Sequence, residues 1–240
     1  ETSMLPLEEI FAMSVDTSMT RCKGCTNHCL LTINKFSNGR RYITGNRCDR
    51  PVTGKSNDDN LNLYAYKQQQ LNQLMKNPGT GTRGKIGIPM VLNMYELLPF
   101  WHAFFTNLGF QVIVSPFSNR KLYQAGQGSI PSDTVCFPAK LTHGHIMALL
   151  KKDVDAIFYP CMSYNIDEGL GDNHYNCPVV AYYPEVLAGN IRELENTKFI
   201  YEYLNLEQRK DFVRLMPKIM QKYYPDLKTA DIQNAIESAY

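Results

Sequence analysis

The chain has 240 residues, 44% of them hydrophobic and 20% charged. That composition supports a packed core and excludes wholesale disorder. Lys plus Arg number 25 against 23 Asp plus Glu, a net charge of +2, which argues against a protein that coats nucleic acid or an anionic membrane. No apolar run approaches the roughly 18 residues that span a bilayer. No basic stretch followed by an apolar one marks a signal peptide. The chain opens on Glu1, so we expect a segment of a longer protein.

Residues 1–20 carry little signal beyond the helical spacing of Leu7, Ile10 and Phe11. Residues 1–50 read as a small Cys-rich metal-binding knuckle. Leu30–Phe36 is expected as a strand, Ser37-Asn38-Gly39 as a hairpin turn and Arg41–Thr44 as the returning strand. Residues 51–83 form a polar connector. Leu61, Leu63, Tyr64, Leu71 and Leu74 suggest a helix there, closed by Asn77-Pro78-Gly79.

Residues 84–183 read as an α/β domain. Strands are expected at 85–89, 111–114, 155–159 and 178–182. Helices are expected at 95–108, ending at Gly109, at 119–127, and from Phe137-Pro138 to about Lys151. Strands alternating with helices imply a parallel three-layer sheet of Rossmann or flavodoxin-like type. Residues 184–240 read as a helical extension broken at Pro217 and Pro225.

Seven cysteines are present, an odd count without a secretion signal. Thiols grouped in this way suit metal binding or redox work in the cytoplasm better than a disulfide framework. Cys22-x-x-Cys25-x-x-x-Cys29 and Cys48, brought back by the hairpin, provide four thiolates for tetrahedral zinc or an iron–sulfur cluster. Spacing does not decide between the two, and His28 is a further candidate ligand. In the second set, Cys136 precedes a helix, Cys161 follows strand 155–159 and Cys177 precedes the strand expected at 178–182. Sites in open α/β sheets form outside the carboxyl ends of strands, where these thiols would meet and leave a fourth coordination position open. Spacing alone equally allows buried structural cysteines.

Smaller signals carry less. Gly79–Lys85 fits a Gly-x-Gly-x-x-Gly string and most of a phosphate loop, but the glycines precede a strand and Ile86 stands where Ser or Thr is needed. Val15-Asp16-Thr17-Ser18 lacks the glycine of an actin-like ATPase phosphate loop. His143 and His145 cannot share a helical face, so both read as packing or capping groups. Lys140, one turn beyond Cys136, is placed to offset cluster charge. Asp133 is a candidate cap, and Asp167 and Glu168 show no partner.

Longer strings carry a resemblance. Gly87-Ile88-Pro89 through Asn93-Met94-Tyr95-Glu96, Pro99-Phe100-Trp101, Ile130 to Lys140, His143-Gly144-His145, Phe158-Tyr159-Pro160-Cys161 and Asn173 to Val179 look like a domain of unknown function. It occurs in large proteins related to activators of 2-hydroxyacyl-CoA dehydratases. Cys22 to Cys48, with Thr44-Gly45-Asn46-Arg47-Cys48, resembles the same proteins, so the likeness spans roughly residues 20–190. The resemblance implies actin-like ATPase domains in the same parent chain and dehydratase-type subunits as partners. It implies a 4Fe-4S cluster on Cys136, Cys161 and Cys177, with Lys140 nearby, because the dehydratase subunits hold such a cluster through three cysteines. Activators of this kind use ATP hydrolysis to drive one low-potential electron onto the dehydratase, which then removes water from a 2-hydroxyacyl-CoA. This segment has no ATPase motif and one α/β half where the dehydratase subunits have two. The expectation is therefore an iron–sulfur electron-transfer module without turnover of its own. The other reading is a non-catalytic, zinc-stabilised docking module. No nucleic-acid or membrane partner is expected.

Overall fold

The computed structural model of the chain describes residues 4–54 and 62–240. Leu61 of the expected connector helix lies outside the described residues. The chain divides into two compact units, Glu1–Ala65 and Tyr66–Tyr240.

The first unit opens with a single helical turn and a half, α1 (Leu7–Ala12), with no buried residue. Three antiparallel strands follow in the order β1-β2-β3: β1 (Val15–Arg21), β2 (Leu30–Phe36) and β3 (Arg41–Thr44). The β2–β3 turn is closed at Gly39, whose φ of +84° suits glycine. Where a two-stranded hairpin is expected, β1 adds a third strand, pairing Val15 with Phe36 through Arg21 with Leu30. Its β-branched Val15, Thr17 and Thr20 favour an extended chain. A short helix, α2 (Arg50–Thr53), ends at Gly54. Among the described residues of this unit, only Leu31 and Ile43 are buried hydrophobics.

The second unit is α/β. Helix α3 (Leu63–Lys76) leads into β4 (Lys85–Ile88), α4 (Met94–Asn107), β5 (Gln111–Val114), α5 (Arg120–Gly126), α6 (Phe137–Leu150) and β6 (Ala156–Phe158). After these come α7 (Pro178–Asn190), β7 (Lys198–Ile200), α8 (Arg209–Tyr223) and α9 (Thr229–Ala239). The four strands pair in parallel in the order β5-β4-β6-β7. Successive strand residues face opposite sides. Phe158 of β6 meets Trp101 and Phe105 of α4, with ring centroids 4.6 and 4.9 Å apart. Ile157 and Gly87 face the other way, toward Leu149 of α6. Helices therefore cover both faces. Helices α5 and α6 pack backbone to backbone: a Cβ on Gly144 would stand 2.0 Å from the Leu122 carbonyl oxygen.

Two expectations need correction. Residues 178–182 are not a strand but the start of α7. Pro178 sits in its first turn, and the Cys177 thiol caps it by accepting from the Val180 N–H at 3.4 Å. The β-branched pair Val179-Val180 mimics a strand, but Tyr183 and Leu187, one turn apart, are buried as a helix face. The strand beside β6 is instead β7, inside the stretch expected to be helical: Lys198, Phe199 and Ile200 pair with Ala156, Ile157 and Phe158. Nor does Pro217 break a helix. It lies within α8, whose buried Phe212, Met216, Ile219 and Met220 hold the helix together despite the lost backbone bond.

Candidate functional site

The chain runs from β4 to β5 on one side, then returns past β4 to β6 on the other. The strand order thus reverses between β4 and β6, and the crevice outside their carboxyl ends is where open α/β sheets bind ligands. All three cysteines of the second set lie at that edge. Cys136 is the N-cap of α6 and Cys177 the N-cap of α7, both exposed and both extended, with ψ of 149° and 154°. Cys161 follows β6 and is buried. Its N–H donates to the Glu202 carbonyl at 3.1 Å, and its own carbonyl accepts from Leu204 N–H at 2.9 Å.

The segment between Cys161 and Cys177 folds back on itself. Asn165 N–H donates to His174 O and Asn176 N–H to Ser163 O, each at 2.9 Å, and Tyr164 bridges Tyr175 in antiparallel sense. Continuing that register sets Cys177 opposite Met162, beside Cys161. Asn176 locks the closure through its Nδ2, which donates to Met162 O at 2.9 Å.

Two buried tyrosines stand near the thiols. Burial pushes the Tyr159 hydroxyl well above its ordinary pKa, and the negative charge available to Cys161, Tyr183 and Cys177 adds to the shift. Burial likewise raises Tyr183, with Cys136 as the further cause. Tyr183 Oη is 3.0 Å from His143 Nε2, and His143 Nδ1 is 2.8 Å from Ser129 Oγ. Tyr159 Oη is buried without a hydrogen-bond partner among the described residues. Burial also pushes the Cys161 thiol up to about 11, with Glu185 adding to it. Cys161 is therefore a protonated thiol at neutral pH, unsuited to act alone as a nucleophile. Lys140 Nζ donates to the Asp133 carbonyl at 2.7 Å, so it ties the α6 entry loop to the first turn behind Cys136. The N-cap of α6 is Cys136 itself, not Asp133. Asp167 does have a partner, His174 Nε2 at 3.5 Å.

The first set lies in the other unit. Cys22 and Cys29 face each other one step beyond the β1–β2 ladder, Cys22 N–H donating to Cys29 O at 2.9 Å. Gly24 N–H donates to Cys22 Sγ at 3.3 Å, and His28 Nδ1 is 3.3 Å from Cys22 O. Arg50, two residues beyond Cys48, reaches back to the Gly24 carbonyl. The Cys48 segment thus runs beside the Cys22–Cys29 loop. Cys25 and Cys48 are exposed.

Among the described residues, no three His, Cys, Asp or Glu side chains are gathered so as to hold one metal ion. A tetrahedral zinc site, with Zn–S bonds of about 2.3 Å, needs its sulfurs in mutual contact. Cys22, Cys25, Cys29 and Cys48 do not meet that condition as they stand. A cubane asks for something different, because each thiolate binds its own iron and the sulfurs stand farther apart. Cys136, Cys161 and Cys177 are not gathered as they stand either; they share one sheet edge, two of them at helix N-termini that favour negative charge.

Beside these thiols a cavity of about 420 Å³ opens at the same edge. Residues 90–93 after β4 and Ser118 after β5 line it, with Pro138 of α6, Asn165, Asn176 and Val180 of α7. Ser118 Oγ is 2.9 Å from His145 Nε2, whose Nδ1 is 2.6 Å from Ser115 Oγ. Sequence reading missed this cavity and its asparagines. The available signal was the loop after the first parallel strand, which the switch-point rule marks once the strand order is known.

Among the described residues no helix is long and apolar enough to cross a membrane. Comparison with curated proteins and with solved structures finds no match. The family model of the CoA enzyme activase uncharacterised domain matches residues 85–240. That span holds every strand of the parallel sheet and all three edge cysteines, and the chain belongs to this family.

Proposed function

We propose that the Tyr66–Tyr240 unit is an iron–sulfur redox module of an ATP-driven, activator-type protein acting on 2-hydroxyacyl-CoA dehydratases. Cys136, Cys161 and Cys177 are its cluster ligands. The observation that carries this reading is the placement of three thiols, on separate elements, at the carboxyl edge of the sheet. Bound there, a 4Fe-4S cluster supplies one-electron transfer. The chain's own residues do the rest. The first turns of α6 and α7 direct their positive ends toward Cys136 and Cys177, where the negative charge of a cluster would sit. Cys161 must release its proton to become a ligand, so assembly is proton-coupled. Burial of Cys161 keeps water from its side of the site. His143 holds the Tyr183 hydroxyl in place. A dehydratase-type subunit is the electron's destination, and ATPase domains of the parent chain supply the drive.

A second reading concerns the first unit. With only Leu31 and Ile43 buried among its described hydrophobics, it has too small a core to stand without a staple. Zinc or an iron–sulfur cluster on Cys22, Cys25, Cys29 and Cys48 would supply one, after these thiols close on it.

The test is anaerobic purification of the full chain, with iron, acid-labile sulfide, zinc and the visible spectrum measured together. About four iron and four sulfide per chain, absorbing broadly near 400 nm, is the expected result, or about eight of each if both cysteine sets bind clusters. Cys136→Ala, Cys161→Ala and Cys177→Ala should each remove the same chromophore. A colourless protein after reconstitution, or a chromophore that survives all three substitutions, would sink the redox reading.

A further inference from the structure

The first cysteine set contains a pair that the strand register brings face to face. The β1–β2 ladder pairs Thr20 with Leu31 and Arg21 with Leu30. One step further, Cys22 N–H donates to Cys29 O at 2.9 Å, so these cysteines are the next cross-strand pair. Directly opposite residues of an antiparallel pair point to the same face, with Cα atoms about 5.5 Å and Cβ atoms about 4.5–5.5 Å apart. Disulfides bridge Cα atoms roughly 4.4–6.8 Å apart and Cβ atoms roughly 3.5–4.5 Å apart. The Cα spacing of such a pair fits, and its Cβ atoms need to close by about 1 Å. The end of the ladder allows that movement. The reciprocal bond from Cys29 N–H to the Cys22 carbonyl is absent among the described residues, and His28 Nδ1 stands 3.3 Å from that carbonyl instead.

Burial separates this pair from the other two thiols of the set. Cys22 and Cys29 are half-buried, whereas Cys25 and Cys48 are exposed. Cys25 lies in the intervening loop and Cys48 beyond β3, both outside the β1–β2 register. Residues two apart on a strand share a face, so the pair continues the face of Thr20 and Leu31. Leu31 is one of the unit's two buried hydrophobics. A bond between the two sulfurs would extend that small core and supply a covalent staple to it.

From this we infer that Cys22 and Cys29 are a reversible disulfide site, oxidised by a small disulfide of the glutathione type. One cysteine thiolate attacks a sulfur of glutathione disulfide and releases the first glutathione thiolate. The other attacks the protein sulfur of the mixed disulfide and releases the second. Two electrons pass from the protein pair to one glutathione disulfide, and the two thiol protons end on the two glutathiones formed. Only six residues separate the pair, so little chain entropy is gained and the bond stays reducible.

The test uses the metal-free full chain, so it does not depend on what this cysteine set binds when metal is present. The chain is equilibrated in glutathione buffers of graded reduced-to-oxidised ratio. Free thiols are then blocked by alkylation, and the linked peptides are identified by fragmentation in the mass spectrometer. Cys22–Cys29 should be the predominant linkage. Its equilibrium constant should be at least about tenfold larger in buffer than in concentrated urea, where chain proximity alone acts. Cys25→Ser and Cys48→Ser should each leave that constant within about twofold. Should either variant fail to fold, the linkage map and the urea comparison on the wild-type chain still decide. Linkage mainly through Cys25 or Cys48, or equal constants in buffer and urea, would overturn the inference. None of these outcomes bears on the iron and sulfide content that tests the redox reading.

Discussion

Lowering the pH from 7 to 5 should cost the α/β unit about 4 kcal/mol through His143 and His145 alone. Both imidazoles are fully buried, and burial lowers each pKa from 6.5 to about 4. Each is held neutral between partners: His143 by Ser129 and Tyr183, His145 by Ser115 and Ser118. The unfolded chain takes up protons below pH 6.5, whereas the folded chain resists them until about pH 4. Stability is therefore complete above 6.5, declines as pH falls through this window, and levels off below about 4. At pH 5 the linkage amounts to about 2 kcal/mol per histidine. Glu202, whose carboxyl is lowered by its hydrogen bond from Lys222, loses its own contribution only as pH falls below its ordinary 4.5, outside this interval. The assay is urea unfolding at pH 7 and pH 5, read by Trp101, the chain's single tryptophan and a fully buried one. Wild type should lose about 4 kcal/mol, a single His145→Gln variant about 2, and the double variant with His143→Gln under about 1. Only the difference between the two pH values matters, so variants of lower absolute stability still report. An unchanged wild-type stability, an equal drop in the double variant, or imidazole pKa values above 6 by NMR would refute the reasoning.

Other consequences follow from packing and burial. Gly144→Ala should destabilise by more than about 3 kcal/mol or abolish cooperative unfolding, because its Cβ would meet the Leu122 carbonyl at 2.0 Å and neither backbone can retreat. Thermal unfolding by circular dichroism checks this, and a near-native midpoint would contradict the tight α5–α6 contact. In metal-free protein Tyr159→Phe should be neutral or stabilise by about 1 kcal/mol, since it removes a buried hydroxyl without a partner. A loss above 1 kcal/mol in urea unfolding would show that the hydroxyl is satisfied. In the same metal-free protein at pH 7, iodoacetamide should alkylate exposed Cys136 and Cys177 well before Cys161, which is buried with its thiol pushed up to about 11. Peptide mass mapping gives the order, and early labelling of Cys161 would reverse the burial argument.

Much of the local structure of both units follows from the sequence. β5 and the β2–β3 pair fall where alternation and the Asn38-Gly39 turn place them, because those signals are local. Gly109 ends α4 with a φ of +83° for the same reason. The two clear failures are both non-local. Pro178-Val179-Val180 has strand propensity, but its partner strand position is taken by Lys198–Ile200, and the Cys177 cap turns it into a helix. Pro217 is a helix breaker by propensity, overruled by the buried face of α8.

The site divides in the same way. Residue type and spacing single out the seven cysteines and place Cys136 at a helix entry, since an N-terminal Pro138 is a local signal. The order β5-β4-β6-β7, the return of Cys177 beside Cys161 through the 162–176 fold-back, and the unpaired oxygens of Asn93 and Asn165 are decided only in three dimensions. Strand order depends on which apolar faces bury one another, and the satisfaction of a polar atom depends on neighbours far away in the chain. Local propensity contains neither.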